Sequence, residues 1–465
     1  MTTVGPGVPA QRGGGDETGG RGALVALTIG TVVLGACNYL YLALVGNVVG
    51  VVASAPVSVL WTMMAGIAVG LFQPVEQMLS RGIARDHDLG RSAQPVVRRT
   101  LISAAVLLLV TLLALLVAAR PVGRVLFSGD TAFVALFAVG LVTSTVLFAV
   151  RGVLAGSGRF RRYGVELTVE GLLKVAGAAA LALGGATDPR LFGAVLVVSP
   201  LVATGTCLLG LPRRPAPRRV AREVLAGPAV RAPASSTSIS SDLVSLGALT
   251  TGSLLLQLFV NVGVVLAQMS AAGTATAYTA SLVAALAVAR VPLFLFNAVQ
   301  SLMLTRFTVE VRRGRFRALS RALVGWNALV LGLGVVWVLL IWSTGDVVLT
   351  WFGDGYGIPS GQLVLLAVSC VLQIVTMVVA QALLAFHRER LAMLVWPFGL
   401  VVLLAVFGLS PVGLGAALSL AMVAGTAATA LAATGAVLWS IRRAGRGPRA
   451  VPLDGDAAAP VLERP

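Results

Sequence analysis

Thr100-Leu-Ile-Ser-Ala-Ala-Val-Leu-Leu-Leu-Val-Thr-Leu-Leu-Ala-Leu-Leu-Val-Ala-Ala119 decides the fold. It carries no charge, and Arg98, Arg99 and Arg120 bracket it. A helix needs about 20 such residues to cross the ~30 Å hydrocarbon core of a bilayer. Runs of this kind recur along the whole chain of 465 residues, of which 57% are apolar and 11% charged. Soluble domains carry about 25% charged residues, so this chain cannot cover itself in water. It reads as an all-α integral membrane protein of about twelve transmembrane helices.

The first apolar run, Ala23 to Val45, is too long for the apolar region of a secretory signal, which spans about 7–15 residues, and reads as the first span. Six spans fall in residues 23–211 and six in residues 243–441. Residues 1–22 and 442–465 read as disordered cytoplasmic tails. Between the two blocks, residues 212–242 begin Pro212-Arg-Arg-Pro-Ala-Pro-Arg-Arg and continue Ser-rich, the composition of a basic linker.

The net charge of +17 is a matter of topology. All but six of the 35 basic residues lie in the tails and in the turns after even-numbered spans. Arg120, Arg124 and Arg190 lie on the other side, and Arg151, Lys174 and Arg290 lie within spans. Basic residues near span ends resist translocation, so both termini are cytoplasmic. No soluble domain is present to carry a nucleic-acid surface. Tyr39, Tyr41, Trp342 and Trp351 mark the outer interface; Trp326 and Trp439 mark the inner one.

The two blocks look alike at a nearly constant offset. Asn38 answers Asn261, Phe72 answers Phe296, Gly129-Asp130 answers Gly353-Asp354, and the turn at Arg159 answers the turn at Arg388. An even number of spans per block gives both copies the same orientation, so they form a parallel pseudo-repeat about an axis along the membrane normal. Transporters built from repeats place their site between them.

A charge within a span costs at least ~2.5–3.5 kcal/mol, which singles out a few residues. Arg290 lies near the middle of the eighth span, roughly 24 Å of helix from Arg306, beyond the reach of a snorkelling side chain. Pro292 follows it and removes a backbone donor. A cation beside loosened backbone between two halves is the form an anion site takes; an ion pair with Glu166 or Glu170 is the structural alternative. Glu166, Glu170 and Lys174 fall four apart on one face of the fifth span, either as a self-neutralising strut or as a relay that couples transport to an ion gradient. Asn38, Gln257, Asn261, Gln268, Asn297 and Gln300 offer hydrogen bonds to neighbouring helices or to a hydrated cargo. Arg81 and Arg306 close the second and eighth spans at equivalent places, individually as ordinary positive-inside anchors and together as a pair that would gather an anionic headgroup.

Cys37, Cys207 and Cys370 lie in separate spans, with no spacing that suggests a metal or redox site. His87 and His387 fall in basic turns. No phosphate-binding Gly-x-x-x-x-Gly-Lys-Ser/Thr occurs, so no cofactor is expected. No outer loop is long enough for the catalytic domain of a glycan polymerase, which reads against an enzyme. Asp88-Leu-Gly-Arg-Ser matches the major-facilitator loop signature poorly.

Three segments carry a resemblance. Gly70-Leu-Phe-Gln-Pro-Val-Glu-Gln-Met-Leu-Ser-Arg81, Leu154-Ala-Gly-Ser-Gly-Arg-Phe-Arg-Arg-Tyr163 and Arg290-Val-Pro-Leu-Phe-Leu-Phe-Asn-Ala-Val-Gln300 are similar to segments of the Wzx-like polysaccharide-biosynthesis flippases. These belong to the multidrug/oligosaccharidyl-lipid/polysaccharide (MOP) exporter superfamily. The resemblance implies a V-shaped, MATE-like pair of six-helix lobes around a cationic cavity in a bacterial plasma membrane. It implies a polyprenyl-pyrophosphate-linked oligosaccharide moved from the inner to the outer leaflet, with Arg290 in the cavity. The basic linker and C-tail become candidate contacts for cytoplasmic glycosyltransferases or membrane lipids, with topology alone the plainer account. Spans one and two carry no basic residue, a departure from the lipid II flippases of the superfamily. The alternative within the same fold is a proton- or cation-coupled multidrug or small-molecule exporter.

Overall fold

The structure, a computed structural model, describes residues 16–209, 239–270, 276–386 and 388–446. They are helical almost throughout, with no strand among the described residues. The first half comprises α1 (Asp16–Val49), α2 (Val51–Met63), α3 (Val69–Asp88), α4 (Gln94–Leu126), α5 (Thr131–Gly156), α6 (Phe160–Leu183) and α7 (Pro189–Leu209). The second comprises α8 (Ile239–Ser270), α9 (Thr276–Ala289), α10 (Val291–Arg312), α11 (Phe316–Thr350), α12 (Ser360–Ala385), α13 (Glu389–Leu409) and α14 (Leu414–Arg446). A π-helical turn, Met64–Ala68, joins α2 to α3 as one span. Arg290 alone separates α9 from α10, which together form another.

Twelve crossings follow. Among the described residues, ten helices are long and apolar enough to cross a membrane. The other two crossings are α6, whose charges lower its hydropathy, and the broken pair α9–α10. Helices run further than the apolar runs that announced them: the run 100–119 sits inside α4, and the run 322–342 inside α11. Interfacial residues continue the helix once the apolar segment has nucleated it. For the same reason helix extends over residues 16–22, 239–242 and 442–446, at the edges of the expected tails and linker. The remainder of those three segments, and His387, lie outside the described residues.

Each half packs as its own lobe. In the first, α1 lies along α6 at backbone contact: a Cβ on Gly164 would run into the Ala26 carbonyl, and one on Gly30 into Gly164. Small residues let two membrane helices approach this closely. In the second, α12, α13 and α14 pack together, with Gly399 against Gly425. The third span of each lobe, α4 or α11, stays peripheral and turns bare apolar side chains outward, among them Leu116, Val117, Leu333 and Val336. Only a lipid environment makes such a surface inexpensive. Both lobes present their first two spans to each other, so α1, α2–α3, α8 and α9–α10 line the seam.

Candidate functional site

The seam is irregular at mid-height in both lobes, at equivalent places. The offset that relates Phe72 to Phe296 also relates Gly66, inside the π turn, to Arg290, at the break. π turns and broken helices are frequent at functional sites in membrane spans. Pro292 supplies no N–H, so the turn preceding it loses a helix hydrogen bond, and the chain re-enters helix with Arg290 as the N-cap of α10.

Arg290 reaches from this break to α8. Its guanidinium donates to the Val260 carbonyl and, at 3.4 Å, to Asn261 Oδ1. Asn261 in turn donates to the Gln257 carbonyl at 3.0 Å, and Gly66 of the π turn faces its amide. Tyr39 of α1 and Cys370 of α12 lie within electrostatic reach. The expected partners Glu166 and Glu170 are elsewhere, and among the described residues no carboxylate forms an ion pair with Arg290. A half-buried cation thus sits between the lobes, and its acceptors among the described residues are neutral.

The two carboxylates of α6 belong to a separate cluster within the first lobe. Arg151 of α5 donates to Glu166 at 2.8 Å and also to Glu170. Lys174 donates to Glu170 at 2.6 Å and to Asn38 Oδ1 at 3.1 Å. Tyr163 stacks near the Arg151 guanidinium and donates to Glu76 of α3 at 2.7 Å. Arg151, Glu166, Glu170 and Lys174 are all buried. Asn38 is therefore drawn into the lobe, away from its counterpart Asn261 at the seam. At the offset that relates Arg159 to Arg388, the second lobe has Ala380, Val395, Gly399 and Leu403 in place of Arg151, Glu166, Glu170 and Lys174. The pseudo-repeat is chemically asymmetric: one lobe holds an ion cluster that the other lacks at the equivalent positions.

The remaining expected residues lie on the spans that form the seam. Arg306 is exposed towards the Arg-rich end of α10, and Arg81 is half-buried near the end of α3. Asn297 lies on α10, on a stretch whose side chains are outside the described residues.

The lobes close tightly at the opposite end. Asn47 donates to the Trp351 carbonyl at 2.7 Å, and the hydroxyls of Ser54 and Tyr356 are hydrogen-bonded at 2.5 Å. Gly46 abuts the loop after α11, where a Cβ would strike the Phe352 carbonyl and come within 2.7 Å of Tyr356 Oη. Gly353 at φ 125° makes the reciprocal approach to Gly46. Towards the Arg-rich end the α3–α8 side of the seam stays packed, with Arg99 and Asp242 3.4 Å apart. On the other side, α1 meets α10 at few points. The molecule is thus sealed at the outer end, while at the inner end α3 and α4 pack on α8 and α1 and α10 touch little. Replacing Gly46 with Leu should overpack this seal by about 1–3 kcal/mol. That cost falls on the sealed state alone, so the outward-open fraction should rise about tenfold. Labelling of a Val51→Cys probe, which lies against Gly355 beside the seal, by a membrane-impermeant maleimide measures the change.

Comparison with known proteins supports the fold. No protein-family model and no curated protein sequence matches the chain. Among solved structures, the chain is similar to an inward-facing multidrug resistance MATE family transporter of the MOP superfamily. The TM-score is 0.69 at 16% identity, covering 91% of this chain and 98% of that one. An outward-facing MATE transporter gives 0.60 at 17% identity over 92% and 96%. A Vibrio cholerae MATE transporter in its bent form gives 0.54 at 16% identity over 92% and 97%. The fold is therefore MATE-like.

Proposed function

We propose that this chain is an alternating-access exporter that carries an anionic amphiphile outward across a bacterial plasma membrane. The observation that carries this reading is Arg290, a cation at the middle of the seam whose partners are a backbone carbonyl and a neutral amide. A guanidinium offers a planar fork of donors to phosphate, sulfonate or carboxylate, and the surrounding low dielectric strengthens the pairing. An exporter of cationic drugs would instead place a carboxylate in that position. Here the carboxylates of α6 are engaged by Arg151 and Lys174, away from the seam, where they are candidates for coupling transport to a proton or cation gradient.

The MATE-like fold supports a small-molecule exporter, with an anionic cargo in place of a cationic one. The lipid-linked oligosaccharide flippase is the second reading, favoured by one specific observation. The loose α1–α10 side of the seam would let a headgroup reach Arg290 past Arg306 while its polyprenyl chain stays in lipid.

Deleting the gene and measuring two quantities separates these readings. An accumulated glycan-bearing polyprenyl-pyrophosphate, seen by mass spectrometry and cleared by the intact gene alone, supports the flippase. Unchanged lipids with greater sensitivity to anionic amphiphilic drugs support the small-molecule exporter. Sensitivity to cationic drugs alone would overturn the anionic-cargo reading.

A further inference from the structure

A second amphipathic recess lies away from the seam, on the outer wall of the first lobe. It is a groove of about 950 Å³ between the inner ends of α3, α4 and α5. Its inner end is polar, formed by His87, Ser92, Gln94, Arg98 and Ser157. Its other end is apolar, formed by Leu101, Ile102, Ala105 and Val153. Arg98 and Ala105 lie seven residues apart on α4, so the groove extends roughly 10 Å along the helix from the charged end into the apolar region.

Among the described residues, no carboxylate lines the groove. Arg98 is exposed and forms no ion pair among the described residues, in contrast to its neighbour Arg99, which pairs with Asp242 across the seam. Leu101, Ile102 and Val153 are exposed apolar side chains at the depth of the inner leaflet. A cation at the membrane surface above an apolar trough matches one amphiphile in abundance there, an anionic phospholipid. Its phosphate would meet Arg98, with His87 and Ser92 beside it, and its upper acyl chain would lie on Leu101 and Val153.

We infer that the α3–α4–α5 groove is a binding site for one anionic phospholipid of the inner leaflet, distinct from the transport site at Arg290. Two of the helices that form the groove, α3 and α4, also contact α8 on their other faces. Occupancy would brace the two helices of the first lobe on which the second lobe turns.

The test is native mass spectrometry of the full chain, purified in detergent and offered equimolar phosphatidylglycerol and phosphatidylcholine. The site predicts preferential retention of one phosphatidylglycerol. Arg98→Glu should lower that retention about tenfold, to the level of phosphatidylcholine. Arg313→Glu, an exposed charge reversal on another inner turn, should leave it unchanged. Ala105→Trp, which fills the apolar end without altering charge, should lower retention of both lipids. Equal retention of the two lipids by the unaltered chain would overturn the inference. So would wild-type retention in Arg98→Glu, or equal losses from Arg98→Glu and Arg313→Glu. Should Arg98→Glu fail to fold, Arg98→Gln applies the same test with a smaller perturbation.

Discussion

Arg290→Ala should reduce export about 100-fold or more while leaving the protein folded. Removing one partner of a buried, hydrogen-bonded charge pair costs about 2–5 kcal/mol, and here the partner lost is the one that meets the cargo. The fold should lose far less. Arg290 donates to the Val260 carbonyl and to Asn261, and the half-buried position lets water replace those neutral bonds at a cost of about 1 kcal/mol. Arg290→Lys separates charge from geometry. It keeps the positive charge and loses the planar fork, so it should retain about a tenth of the export. Transport assays alongside thermal melts of the three proteins give the comparison. Export undiminished in Arg290→Ala would remove Arg290 from the transport path.

The second large effect concerns the ion cluster of the first lobe. Arg151→Ala should destabilise the protein by about 3–5 kcal/mol, because it strands buried carboxylates with too few partners. Glu166 would lose both its hydrogen bonds to Arg151, and Glu170 would keep only Lys174. Replacing the whole cluster should behave differently, since an intact buried ion network is often no more stable than well-packed apolar residues. The second lobe already has such a composition at the equivalent positions. The fourfold variant Arg151→Ala, Glu166→Val, Glu170→Ala and Lys174→Leu should therefore recover most of the stability lost in Arg151→Ala. If the cluster couples transport to an ion gradient, this variant will equilibrate cargo and fail to concentrate it. If the cluster is only a strut, concentration against a gradient will survive. We predict failure to concentrate, because the cluster is confined to one of two otherwise similar lobes, whereas packing needs are shared by both.

Much of the architecture is legible in the sequence because the bilayer imposes it. Apolar runs, basic turns and matched positions such as Phe72 and Phe296 report length, sidedness and duplication directly. The break at Arg290 is legible for a similar reason: Pro292 leaves few backbone options. Partnerships between helices are not legible. Arg151 stands out as a charge in a span, but its carboxylates lie beyond the turn between α5 and α6, and nothing in a periodic pattern joins them. Asn38 is legible as a polar residue of the first span, yet its orientation depends on which face of α1 meets α6. Gly30 and Cys37, which contact Gly164 and Gly171, reveal that face only in three dimensions. Glu76 and Tyr163 both sit in the motifs that carry the family resemblance, and only the fold joins them. The outer seal is the extreme case. Gly46, Ser54 and Tyr356 are ordinary residues in loops and helix ends, and their contact spans the two halves of the chain.

The most direct test of the anionic cargo is transport by the purified protein in proteoliposomes, using two fluorescent amphiphiles matched in size and opposite in charge. The account predicts that the anion crosses, that Arg290→Ala abolishes its movement, and that the cation does not compete. Movement of the cation at the same rate, insensitive to Arg290→Ala, would contradict it.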